Sequence, residues 1–241
     1  DITVGDGRNQ IKTGEGHDIV STGDGADRID TGNGNDNINA GDGTNQIKSG
    51  SGNDTITTGH GNDRIDAGEG DDLINAGDGR NDIRSGNGDD TITAGSGDDK
   101  IYVGEGDTTI NAGDGNNQIR SGSGNNSITT GSGNDRIDTK DGNDNIAAGD
   151  GTNQIKSANG DDIISTGSGA DRIILIGGST DTGTTNLDGD ADFNIASGAG
   201  SDFVYINSID DADSGGVSVE KKEVKDGDDD KGSIGGPANN H

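Results

Sequence analysis

Along most of this chain a large apolar residue returns once every nine positions, with polar residues and glycine between. From Gly5 to Leu175 the sequence divides into 19 nine-residue units without an insertion, on the consensus G-x-G-x-(D/N)-x-I-x-(T/S/A). Position 7 is Ile in 18 units, with Val20 the exception, and position 3 is Gly in all 19, from Gly7 to Gly169. Position 1 is Gly in 17, with Lys140 and Ala158 the exceptions. Isoleucine flanked by Thr, Ser and Asn predicts a very short strand. Two glycines at i and i+2, with Asx two further on, predict a tight turn with positive φ. Two units then make a coil of 18 residues, and coils stack. The fold class expected is all-β: a two-sheet β-solenoid with 18 residues per coil. Position 7 points inward as the large residue and position 9 as the small one, while positions 6 and 8 face out. The units amount to about nine and a half coils, a rod roughly 45 Å long at ~4.8 Å per coil.

Composition sharpens this picture. The chain has 241 residues, 48 of them Gly, and only 23% are hydrophobic, too few for a conventional packed core. Composition alone would suit a disordered chain, but disorder gives no reason to place Ile at every ninth residue. The formal charge is −29, from 46 acids against 17 Lys and Arg. That balance argues against nucleic acid or anionic lipid as partner and favours cations. With no Cys, thiolate sites and disulfides are excluded. No apolar run reaches membrane-spanning length, so no membrane insertion is expected.

Position 5 carries the candidate chemistry. It is Asp in 12 units, Asn in six, and Thr108 once. Stacking sets these carboxylates beside one another, where they repel unless a cation lies between them. The adjacent glycine turns offer backbone carbonyls to the same space, and oxygen-only ligands suit Ca²⁺. The Ile columns alone do not offset the entropy of ordering so much glycine, so the turns require another source of stability. Zn²⁺ is not expected, since His17, His60 and His241 occupy unrelated positions and read as solvated surface.

Stretches such as Gly50-Ser51-Gly52-Asn53-Asp54-Thr55-Ile56 and Gly131-Ser132-Gly133-Asn134-Asp135-Arg136-Ile137 resemble the RTX, or haemolysin-type, calcium-binding nonapeptide repeat, G-G-x-G-x-D-x-U-x. The resemblance implies a right-handed parallel β-roll with several Ca²⁺ ions between successive turns. It also implies a secreted or cell-surface bacterial protein, often exported by type I secretion. The positions that match the family's Asp are Asp18, Asp27, Asp36, Asp54, Asp63, Asp72, Asp90, Asp99, Asp135, Asp144, Asp162 and Asp171. The departures are Thr, Ser or Ala for the family's first Gly in most units, and Asn9, Asn45, Asn81, Asn117, Asn126 and Asn153 at position 5.

A second period of 36 residues appears in the Asn units, which recur as Asn9, Asn45, Asn81, Asn117 and Asn153. Odd-numbered units form one edge, on which Asn and Asp alternate. Even-numbered units form the other, on which Asp runs from Asp18 to Asp90 and fails at Thr108 and Asn126. Tighter calcium sites are expected on the first half of the even edge. Position 8 of the odd face alternates Lys12, Asp30, Lys48, Asp66, Arg84, then Tyr102, Arg120, Asp138, Lys156, a ladder of cross-strand ion pairs that would fix register. The outward positions of the even face carry no charge. That face reads either as a solvated Asn and Thr ladder or as a contact face for self-association, glycan or ice.

Residues 1–175 are thus expected to form the roll, 176–206 degenerate repeats and a C-terminal cap carrying Phe193, Phe203 and Tyr205, and 207–241 an acidic tail or linker. Asp1-Ile2-Thr3-Val4 fits the end of a preceding unit, so end-to-end self-association is an expectation too. No His-Glu-x-x-His, Gly-x-Ser-x-Gly or phosphate loop occurs, and no enzyme activity is expected. The expected function is a calcium-binding structural or adhesive module that folds when Ca²⁺ arrives outside the cell. The alternative is a metal-independent Asn/Thr-ladder solenoid in a fibril or ice-binding protein.

Overall fold

The structure, a computed structural model, describes residues 1–176, 184–186, 192–196 and 205–206. The described residues form strands and turns only, with no helix, in two parallel sheets of 12 and 11 strands. Successive strands alternate between the sheets, so each strand pairs with the strand two earlier and two later. The chain is a β-solenoid of about ten turns with register i to i+18, as in Ile65, Ile83 and Ile101, or Ile74, Ile92 and Ile110.

The interior follows from strand alternation. From Val20 to Ile173, position 7 is at most 1% exposed, and the column of one sheet faces that of the other in a single core. Ala40, Ala67, Ala94 and Ala112 at position 9 are fully buried, as are Thr31, Ser49 and Ser157. Alternation carries one step further than the sequence reading took it. Position 5, two residues before the Ile, also points inward, and Asp27, Asp54, Asp90 and Asp171 are buried.

Position 3 explains itself in backbone terms. All 19 of these glycines have φ between +113° and +152°, which L side chains rarely adopt. From Gly25 onward, a Cβ there would also overlap the carbonyl oxygen of the matching Gly one coil earlier. Position 1 is less uniform: Gly5, Gly59 and Gly131 do without positive φ, and Lys140 and Ala158 stand at this position.

The two outer faces differ as their residues require. On the odd-unit sheet, cross-strand ion pairs close at Lys12–Asp30 (2.6 Å) and Lys156–Asp138 (3.1 Å). The expected ladder is interrupted mid-sheet. Arg84 pairs instead with Asp82 of its own strand, and Arg84 and Arg120 lie over opposite strand-neighbouring sides of Tyr102, 5.9 and 5.8 Å from the ring centre. On the even-unit sheet the rows run Thr55, Leu73, Thr91 and Thr57, Asn75, Thr93, with Ile19, Leu73 and Ile163 about half exposed. Strands Thr184–Asn186, Asp192–Ala196 and Tyr205–Ile206 extend the sheets, and there the register lengthens, Ile173 pairing with Phe193. The cap and tail expected beyond Leu175 otherwise lie outside the described residues.

Candidate metal-binding turns

Each turn is built around its position-5 side chain. In the odd units the backbone N–H of position 5 donates to the side-chain oxygen of position 5 one coil later. The chain runs unbroken through Asn9, Asp27, Asn45, Asp63, Asn81, Asp99, Asn117, Asp135, Asn153 and Asp171 at 2.7–3.0 Å. In the even units it runs from Asp18 through Asp36, Asp54 and Asp72 to Asp90. It then breaks, because the Thr108 hydroxyl is buried without a partner. It resumes through Asn126 and Asp144 to Asp162. The Asn and Asp alternation of the odd edge leaves its ladder continuous, and on the even edge the ladder breaks before Thr108 alone, since Asn126 both accepts and donates.

One oxygen of each carboxylate is thereby occupied, save in Asp18, which starts its ladder as a donor. The other is buried and has no hydrogen-bond partner in Asp18, Asp27, Asp36, Asp54, Asp63, Asp72, Asp90, Asp99, Asp135, Asp144 and Asp171. Asp162 differs: its Oδ2 accepts a hydrogen bond from Ser157 Oγ. What lies beside that second oxygen is visible in the Asn units. There the amide Nδ2 donates to the carbonyls of the glycines at positions 1 and 3 of the same turn. Asn9 reaches Gly5 and Gly7, Asn117 reaches Gly113 and Gly115, and Asn126 reaches Gly122 and Gly124, at 2.9–3.4 Å. An Asp in the same register places oxygen where Asn places a donor. Its turn then holds one carboxylate oxygen and glycine carbonyl oxygens with no hydrogen between them, a hard, oxygen-only pocket. The residues fit a bound Ca²⁺. Among the described residues no three His, Cys, Asp or Glu side chains converge, because each turn supplies a single carboxylate and the rest is backbone.

Electrostatics set the inner and outer acids apart. Burial pushes the carboxyl groups of Asp54, Asp63, Asp90, Asp135, Asp144 and Asp171 above the ordinary range. Asp72 and Asp99 are pushed furthest, to about 7, again by burial, with the stacked Asp90 and Asp54 adding to the effect at Asp72. Outside the turns the sign reverses. Asp78, Asp114 and Asp150 at position 2 are held below the ordinary range by hydrogen bonds from Ser96, Ser132 and Ser168 of the next coil. Position 4 forms a further exposed ladder, the backbone N–H groups of Asn53, Asp71 and Asp89 donating to the side-chain Oδ1 of Asn35, Asn53 and Asp71 in turn, at 2.9–3.0 Å. These outer ladders run against the inner one, and the sequence reading missed them; the recurrence of Asx at positions 2 and 4 was the available signal. His17 and His60 are exposed, His17 accepting the Asn35 N–H and His60 lying 3.3 Å from Asp78.

Residues 3–38, 39–74, 75–110, 102–137, 111–146 and 138–173 each match the profile of the RTX calcium-binding nonapeptide repeat in four copies. This chain belongs to the RTX calcium-binding nonapeptide repeat family. Comparison of the RTX chain with curated proteins and with solved structures finds no match in either. The matched segments cover the coils whose turns carry the unpaired carboxylates, so family and geometry meet on the same residues.

Proposed function

We propose that this RTX roll is a calcium-binding structural module, its ions held by Asp18, Asp27, Asp36, Asp54, Asp63, Asp72, Asp90, Asp99, Asp135, Asp144, Asp162 and Asp171 together with glycine carbonyls of the same turns. The observation that carries this reading is the row of eleven buried carboxylate oxygens without a partner. Buried charge without compensation is costly, and Ca²⁺ supplies the compensation through oxygen ligands alone. Ion binding then becomes folding free energy. The chain stays largely unfolded where calcium is scarce and coils where it is plentiful, which suits export through a channel and service outside the cell, on the surface or in an adhesive protein.

The test is far-UV circular dichroism of the metal-stripped chain during titration with millimolar CaCl₂, with MgCl₂ as control. A cooperative gain of β signal with Ca²⁺ is expected. A β spectrum and melting temperature indifferent to both calcium and chelation would overturn the reading. The ladder from Asn9 to Asp171 closes through hydrogen bonds alone, which supports the second reading, a metal-independent solenoid that assembles end to end or through its uncharged face. Fibrils by electron microscopy, or thermal hysteresis, in metal-stripped solution would favour it. Leu73 stands between Thr55 and Thr91, and Asn75 between Thr57 and Thr93, which interrupts the Thr rows that an ice-binding face needs.

A further inference from the structure

The side chain that shares each turn's interior with position 5 belongs to position 9 of the preceding unit, five residues earlier. The two positions vary together. Ten of the 12 Asp are preceded by Ser or Thr at that place, whereas five of the six Asn are preceded by Ala or Val. Asn81 follows Ala76, Asn117 follows Ala112 and Asn153 follows Ala148; Asp54 follows Ser49, Asp63 follows Thr58 and Asp135 follows Thr130.

The geometry gives this pairing a reason. The Ser157 hydroxyl donates to Asp162 Oδ2. The hydroxyls of Ser85, Thr130 and Thr166, five residues before Asp90, Asp135 and Asp171, are buried and make no hydrogen bond elsewhere. The hydroxyl also has a second acceptor. Ser49 and Thr58 donate to the carbonyls of Ala67 and Ala76 one coil on, at 2.8 and 2.6 Å. It can therefore satisfy the carboxylate or leave it open. An Asn needs no such help, because its amide already donates to the glycine carbonyls. Asp72 and Asp99 stand apart: they follow Ala67 and Ala94 and have no hydroxyl beside them.

We propose that position 9 and position 5 together decide how each turn of this roll is closed: an Asn turn is closed by its own amide and takes no ion, an Asp turn with Ser or Thr has a hydroxyl stand-in when metal is absent, and the Asp72 and Asp99 turns depend on the cation alone. This rests on the calcium reading for the ion count, but not for the pairing of side chains.

The test is a double-mutant cycle in the full chain with Ala76→Ser and Asn81→Asp. Bound calcium per chain is counted at saturation by mass spectrometry of the metal. Melting is followed in metal-stripped buffer at neutral pH, with trimethylamine N-oxide to favour the compact state. Asn81→Asp is expected to add one bound calcium. It should also lower the metal-free Tm by about 2–4 °C or more. Adding Ala76→Ser should restore at least half of that loss. The reverse pair, Thr58→Ala with Asp63→Asn, should remove one calcium and melt together no lower than Thr58→Ala alone. An unchanged calcium count in Asn81→Asp would overturn the amide-for-ion assignment, and strictly additive Tm changes in both cycles would overturn the pairing. If the wild-type chain bound no calcium, the proposed function would fall, while the metal-free cycles would still decide the pairing.

Discussion

Acidifying the metal-free chain should fold it. Asp72 and Asp99 are 2% and 1% exposed, and burial raises each carboxyl group to about 7 from 3.8. Between about pH 4 and 7 the folded chain therefore holds protons that the unfolded chain has released. The folded state binds more protons than the unfolded, so stability falls as pH rises through this window. A gap of about three pKa units corresponds to about 4 kcal/mol for each group, fully lost above pH 7. For a chain of this size that is a Tm difference on the order of 10 °C. Relief of repulsion among the exposed acids acts in the same direction, so the measure is the part of the slope that disappears in an Asp72→Asn/Asp99→Asn variant. The assay is far-UV circular dichroism with thermal melts from pH 5 to 7.5 in metal-stripped buffer, where chelators that weaken in acid are not needed. With calcium present the sign should invert, because proton and ion compete for the same oxygens. A metal-free Tm that rises from pH 5 to 7.5, or a double variant with the wild-type slope, would refute the reasoning.

Gly97→Ala should destabilise the roll by about 3 kcal/mol or more, since φ is +135° there and a Cβ would overlap the Gly79 carbonyl. Gly5→Ala, with open space around its Cβ, should stay within about 0.5 kcal/mol, both variants being measured by urea denaturation followed by circular dichroism. Thr108→Asn should bridge the gap in the even-edge ladder and raise metal-free stability by about 1 kcal/mol, read as a higher Tm. Tyr102→Lys would place three cations in a row with Arg84 and Arg120, lowering Tm at low salt and recovering it at 1 M NaCl.

Periodicity made much of this legible. Ile at position 7 and small residues at position 9 reported the core, and Gly at position 3 reported a backbone no other residue could take. The Asp set was legible as candidate ligands because nineteen in-frame units repeat one oxygen-bearing position. Less was legible where a property depends on the neighbouring coil. That Asp54 offers one oxygen to Asp36 and buries the other follows from contacts 18 residues away, which composition at one position does not reveal. The ion-pair ladder was read from alternating charge, but side chains such as Arg84 have several partners within reach, and one of them lies on the same strand. Exposed pairs contribute too little to dictate which is chosen.

The 18-residue separation that recurs between bonded partners bears on how the roll meets force. A terminal coil touches only the coil beneath it, so tension along the chain peels one coil at a time and leaves the rest intact. Each release would lengthen the tether by nearly the contour of 18 residues, about 60 Å, where the stacked coil occupied ~4.8 Å. A rod of this construction is a compact store of slack, let out coil by coil and, under the calcium proposal, rewound by ions that close its turns.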